Sequence, residues 1–228
     1  VALYAVLRFK LLMSANPAAI LPGPLMVGLG LLSLLFASFM FYSRGDLKRL
    51  FSYSSIEHMG IITFAFGMGG PLANFAGLLH MTLHSLTKSA IFFTVGQISQ
   101  AKGTQRISAI RGLTASHPVL GWSLLVGVIA ITGMPPLGIF TSEFLVVSFT
   151  FSREPLLALP LVLGLLLSFA TLWWRVQAMA FGEPEGSIAP VESSSLPVVT
   201  HLALVLIAGI WLPEPLVAWF KNVAALLG

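Results

Sequence analysis

Three ionisable side chains recur at intervals of four residues within one apolar stretch of the sequence. His80, His84 and Lys88 have the spacing that places side chains on one face of an α-helix. A fourth ionisable residue, Glu143, follows a Gly-Met-Pro-Pro interruption in a second apolar stretch. A charged side chain at the centre of a bilayer costs about 2.5–3.5 kcal/mol on insertion scales, so it rarely lies there without a function. Next to a broken helix, these residues predict a pathway for protons or small cations.

Each of these residues also has a plainer interpretation. Lys88 could extend its ammonium group along its helix to the membrane surface. His80 and His84 could be hydrogen-bonded core residues or a proton relay, since histidine titrates near neutral pH. As a metal pair they lack nearby third and fourth ligands, so no metal site is predicted. Glu143 could be a carboxylate exposed at the outer surface.

The composition predicts an all-α integral membrane protein. Of its 228 residues, 57% are hydrophobic and only 9% are charged, whereas soluble domains contain about 25% charged residues. The absence of cysteine excludes disulfides, thiolate metal sites and cysteine nucleophiles. The net charge of +4 is scattered over loops, which favours a role in membrane orientation over nucleic-acid binding. No motif indicates a catalytic residue or a bound cofactor.

The apolar segments predict six transmembrane helices after an N-terminal apolar segment at residues 1–13, which would make seven. The six lie at residues 25–42, 53–68, 72–98, 118–150, 155–181 and 196–212, and a short interfacial helix follows at 213–228. Together they form a single transmembrane domain at residues 1–228. The first residues are not Met-initiated and look like the end of a helix, which predicts a fragment of a longer protein.

The segment at residues 118–150 is too long for one straight crossing. A helix of that length would measure about 50 Å, against about 30 Å of hydrocarbon core. Pro135 and Pro136 lack N–H groups and Gly138 follows, so we expect a break that leaves carbonyls near Ile131 without helical partners. Inside a bilayer, such a break is tolerated only against protein or a water-filled cavity.

The topology is predicted from the distribution of Lys and Arg. The bias places the loops at residues 44–52 and 99–117 in the cytoplasm and the C-terminus outside. Glu57 and His58 would then lie one turn into the span at 53–68, near the cytoplasmic face. They are interpreted there either as the point where protons enter or as an interfacial pair.

Three segments resemble one known family. DLKRLFSYSSIEHMG at 46–60, GLLHMTLHSLTKSAIFF at 77–93 and GMPPLGIFTSEFLVV at 133–147 are similar to the antiporter-like proton-pumping subunits of respiratory complex I and related hydrogenases, most of all to the hydrogenase 4 branch. The resemblance implies a protein of about fourteen spans in two inverted repeats, of which this chain would be the second half. Lys88 matches the family lysine of its span, and Glu143 matches a position that is lysine in some members.

The resemblance also implies a function and its partners. It implies a proton-translocating membrane subunit of a complex I-like oxidoreductase, of hydrogenase 4 or NADH dehydrogenase type, in a bacterial inner membrane. Its partners would be other membrane subunits, through them a redox arm, and the lipid bilayer, with no nucleic acid. The chain itself would carry no redox chemistry. Two alternatives are a cation/proton antiporter subunit and a truncated, non-pumping structural membrane module.

Overall fold

The computed structural model describes residues 2–43, 45–185 and 194–228. Over these residues the chain forms ten α-helices and no β-strand, which confirms the predicted all-α class. The helices are α1 (Ala2–Ser14), α2 (Pro22–Met40), α3 (Leu47–Met68), α4 (Pro71–Lys102), α5 (Leu113–Ser116), α6 (Pro118–Ile131), α7 (Gly138–Arg153), α8 (Pro155–Ala180), α9 (Leu196–Ile210) and α10 (Glu214–Leu226).

The predicted spans correspond to α2, α3, α4, the α6–α7 pair, α8 and the α9–α10 pair. By length and composition alone, two described segments could cross a membrane unaided: Pro22–Ser43, which extends α2, and α8. A third is formed if α9 and α10, which meet at 79°, are one bent span. With 22 and 32 residues, α3 and α4 are also long enough, but they carry ionisable residues.

The sequence prediction placed the start of α3 too late. The helix begins at Leu47, not near residue 53, because the Asp46 carboxylate accepts a hydrogen bond from the Arg49 N–H at 2.9 Å and caps the first turn. The segment predicted as a loop at 44–52 is therefore largely helical. The N–H of Leu47 also donates to the carbonyl of Gln105 at 2.8 Å, which fixes the start of α3 beside the loop after α4.

The break between α6 and α7 lies where it was predicted but begins with a different residue. Gly133 has a φ of +65°, in the left-handed region that favours glycine. The N–H of Gly133 donates to Ala130 and that of Met134 to Ile129, which is the hydrogen-bond pattern of a Schellman motif. The helix therefore ends before Pro135, and the prolines only prevent it from resuming.

The helix α4 is central and packs against α3, α6, α7, α9 and α10. The helix α2 packs on α3 so closely that the two helix backbones are in direct contact. A Cβ atom added to Gly60 would lie 2.7 Å from the carbonyl oxygen of Gly30. Glycine at both positions is what permits this contact, which holds α3 between α2 and α4 and directs its buried face towards α4.

Candidate functional site

The ionisable face of α4 is buried in the helix bundle. His80 is fully buried, and His84 and Lys88 are each 6% exposed. The ammonium group of Lys88 donates to the carbonyl of Phe51 at 2.9 Å and lies 5.7 Å from the centre of the Phe51 ring. Lys88 is therefore held against α3 inside the bundle.

Glu57 is the acidic neighbour of Lys88. It lies midway along α3 and is 2% exposed, and it interacts electrostatically with Lys88. Ser168 on α8 is a polar neighbour of Glu57, and its hydroxyl lies 2.6 Å from the hydroxyl of Ser38 on α2. One carboxylate thus links the α4 lysine to polar side chains on two further helices.

A directed hydrogen-bond chain joins α3, α4 and α7. The hydroxyl of Ser142 donates to the carbonyl of Ile139 at 2.8 Å, so it must accept from Nδ1 of His80, 3.0 Å away. A neutral His80 then has no hydrogen on Nε2. Consequently Nδ1 of His58, at 2.9 Å, is the donor to that nitrogen. The chain therefore runs from His58 through His80 to Ser142.

Glu143 lies beside this chain, directly after the break. One carboxylate oxygen is 4.0 Å from Nδ1 of His58, and the residue is only 8% exposed. The other oxygen packs on the backbone of Gly133, where a Cβ atom would overlap it. The glycine that ends α6 is therefore also the residue that leaves room for the Glu143 carboxylate.

The unpaired carbonyl predicted at the break also contributes to the site. The backbone of Ile131, at the end of α6, lies next to the His58 ring. In a Schellman motif the carbonyl of the last helical residue has no helical partner, so it can accept from a side chain. The break thus supplies a backbone acceptor next to the histidine that begins the hydrogen-bond chain.

His84 stands between the hydrogen-bond chain and a cavity. Its ring stacks on that of His58 with centroids 5.2 Å apart, and its Nε2 atom is buried without a protein hydrogen-bond partner. A cavity of about 820 Å³ is lined by His84 and Lys88 together with Met59, Met81 and Phe92. An orphaned polar atom that borders a cavity of this size is a place for water.

Sequence reasoning identified most of these residues and misplaced two of them. Glu57 and His58 were expected one turn into their helix, but α3 begins earlier than expected and both residues lie at its middle. Ser142 was not recognised as part of the site. Its hydroxyl is presented one helical turn after Gly138, and only the fold shows that His80 reaches it.

Comparison with known proteins places these residues in a family context. Residues 1–168 match the transmembrane family of NADH:quinone oxidoreductase and Mrp antiporter subunits. The chain is 59% identical over 227 residues to the Hydrogenase-4 component F homolog of Methylacidiphilum infernorum (isolate V4), covering all of this chain and 48% of that protein. It is 29% identical over 231 residues to one of the Na(+)/H(+) antiporter subunits of Alkalihalophilus pseudofirmus, covering 98% and 46%.

A solved structure shares the fold. A chain of respiratory complex I from Thermus thermophilus with bound NADH superposes with a TM-score of 0.79 and 26% identity, over 90% of this chain and 45% of that one. The present chain therefore spans about half the length of the curated relatives it matches. The buried histidine, lysine and glutamate side chains described above all lie within residues 1–168, the segment that matches the family.

Proposed function

Because the chain belongs to the NADH:quinone oxidoreductase/Mrp antiporter transmembrane family, we propose that it is part of a proton-translocating membrane subunit of a complex I-like oxidoreductase. The observation that carries the proposal is the continuous set of buried ionisable groups on α3, α4 and α7. Lys88 and Glu57 lie at one end of this set, and Glu143 lies at the other. Buried charges of this kind in a bilayer are expensive and mark ion pathways.

The pathway proceeds by short proton transfers. Glu57 adjoins Nε2 of His58 at 3.9 Å, and Nδ1 of His58 adjoins His80 at 2.9 Å. A proton delivered to Nε2 of His58 therefore allows the proton on Nδ1 to leave towards His80, because imidazole can bind a proton at either nitrogen and holds both only as the imidazolium. Lys88 and His84 connect this relay to the cavity, where water supplies the remaining hydrogen bonds.

The broken helix acts as the control element. Gly133 and Ile131 contact Glu143 and His58 respectively, so any shift of the break changes the 4.0 Å separation between these two side chains. Redox energy released in another subunit would reach the pathway through such a shift. The partners in this proposal are other membrane subunits and, through them, a redox arm.

The proposed location is a bacterial inner membrane, with the end of α4 and the start of α3 in the cytoplasm. Basic residues are concentrated there, including Lys48, Arg49, Arg106 and Arg111. The two loops lie together, since Ile107 donates its N–H to the carbonyl of Gly45 at 2.9 Å. The C-terminus would face the opposite side. The chain as a whole is proposed to be one transmembrane domain, the second half of a longer protein.

A second candidate function is cation/proton antiport. The 29% identity to a protein of the Na(+)/H(+) antiporter, over 98% of this chain, favours it. Dependence of proton movement on sodium, and absence of redox subunits from the purified complex, would support antiport. A structural module that moves no protons is the third alternative, and it is tested by the same transport assay.

The test is Lys88→Ala in the complete subunit and its assembled complex. Proton uptake by inverted membrane vesicles should fall to the background level while the complex still assembles, since Lys88 is the only buried ammonium group adjoining Glu57 among the described residues. Lys88→Arg should restore only part of the activity, because guanidinium stays protonated. Lys48→Ala, an exposed lysine on α3, is the matched control. Wild-type uptake by Lys88→Ala would refute the proposal.

A further inference from the structure

We infer that His58, His80 and Glu143 form a binding site for a transition-metal dication of the Zn²⁺ type. One ligand atom from each residue is available, and these three atoms all lie within 4.8 Å of one another. They come from three different helices: α3, α4 and α7. The set could not be found from the sequence, where the histidine pair with helical spacing is His80 and His84.

The separations fit the coordination distances of zinc. Ligands at 2.0–2.2 Å from a tetrahedral ion lie about 3.3 Å from each other. The separation of His58 Nδ1 and His80 Nε2 is 2.9 Å, and that of His58 Nδ1 and Glu143 is 4.0 Å. These two values bracket the required one, and all three atoms lie within 4.8 Å of one another, so side-chain shifts that draw the ligands together would accommodate the ion.

The remaining ring nitrogens already have the partners that orient metal-binding histidines. Nδ1 of His80 is bonded to Ser142, and Nε2 of His58 faces the Glu57 carboxylate at 3.9 Å. Outer partners of this kind fix the ring and the tautomer of a metal ligand. Two imidazoles and one carboxylate leave a fourth position open. The set favours zinc, copper or nickel over sodium, magnesium or calcium, which prefer oxygen ligands.

Binding would replace the hydrogen bond at the centre of the chain. His80 presents Nε2 without a hydrogen, as coordination requires. His58 would pass its hydrogen from Nδ1 to Nε2, where it points to Glu57, and Glu143 would bind as the carboxylate. The ion would then occupy the position across which a proton has to pass, so we expect it to block translocation. This consequence rests on the proposed function, whereas the binding itself does not.

The cavity beside α4 provides the route by which an ion would reach the site. Its lining includes His84, whose ring lies against that of His58. The Nε2 atom of His84 is buried without a hydrogen-bond partner, and it can hold an ion in transit. Lys88 also borders this cavity, but its positive charge is opposed by Glu57 and by the carboxylate of the ligand Glu143.

The experiment measures binding of Co²⁺ to the purified, assembled complex that contains the complete subunit, after treatment with a chelator. Tetrahedral Co²⁺ has a characteristic visible absorption, and Zn²⁺ should displace it. His80→Gln and Glu143→Gln should each remove one equivalent of this signal relative to wild type. Ser142→Ala should weaken binding about 10–100-fold, since it removes an outer partner. His201→Gln, which changes a histidine on α9 outside this site, is the matched control and should keep the full signal.

Loss of the signal in His201→Gln but not in His80→Gln would overturn the assignment, as would equal signals in all variants. Proton uptake by the chelator-treated complex separates this inference from the proposed function. A complex that translocates protons without binding Co²⁺ refutes the metal site alone. A complex that binds one ion through His80 and Glu143, while Lys88→Ala translocates normally, refutes the proposed function alone.

Discussion

Replacement of Gly133 by alanine should both destabilise the helix break and displace the Glu143 carboxylate. Comparison with a second glycine, which lacks the contact with Glu143, separates the two effects. Gly133 has a φ of +65°, and a residue with a Cβ atom in this region costs about 1–2 kcal/mol. The added Cβ atom would also overlap one oxygen of the Glu143 carboxylate and lie 2.9 Å from its carboxyl carbon. Normal contact requires about 3.5–4.0 Å, so the carboxylate must move by about 1 Å or more.

The chain offers a closely matched control in Gly103. It ends α4 with a φ of +64°, but an added Cβ atom would meet nothing within 4 Å. Gly103→Ala therefore incurs the same backbone cost without any displacement of Glu143. The two variants should lose a similar amount of thermal stability. A displacement of about 1 Å in a reacting group can reduce a rate by as much as about a hundredfold, so proton uptake by Gly133→Ala should fall at least about tenfold.

The assay compares both variants in inverted vesicles that contain the assembled complex, with uptake followed by a pH-sensitive dye and stability by thermal inactivation. Normal uptake by Gly133→Ala would show that Glu143 need not occupy its position over the break. An equal loss of uptake in Gly103→Ala would attribute the effect to general destabilisation. Either result would refute the reasoning that ties the break to the carboxylate.

Two further predictions concern the hydrogen-bond chain and the topology. Ser142→Ala leaves the buried N–H of His80 without its acceptor, at a cost of about 1–3 kcal/mol, and should lower both the thermal stability of the complex and its proton uptake. Ser152→Ala, which removes an exposed hydroxyl on the same helix, should change neither. Single cysteines at Ser108 and Gly228 should be labelled from opposite sides of the membrane, because both positions are exposed and the Lys and Arg bias orients the chain. Labelling of both from the same side would contradict that orientation.

The helical framework was predictable because its signals are local. Apolar segments of sufficient length marked α2, α4 and α8, and the interval of four residues placed His80, His84 and Lys88 on one face. The helix break was predictable for the same reason. The cause of the break was harder to predict. The sequence analysis attributed it to the two prolines, whereas the role of Gly133 depends on its left-handed backbone conformation, which only the structure shows.

The connections between helices could not be predicted from the sequence. The bond between His58 and His80 joins α3 to α4, and the bond between His80 and Ser142 joins α4 to α7. Both depend on how closely the helices approach, which is set in part by the backbone contact between Gly30 and Gly60. The misplacement of Glu57 was avoidable, because Asp46 before Leu-Lys-Arg is a recognisable helix start.

The most direct test of the pathway is the number of protons moved per turnover by the assembled complex with Glu143→Gln. The substitution keeps the size and shape of the side chain and removes its ionisable group, so the fold and the turnover should survive. We expect fewer protons per turnover than in wild type, while Glu154→Gln, at an exposed acidic position after α7, keeps the wild-type value. An unchanged proton yield in Glu143→Gln would contradict the claim that these buried groups form one pathway.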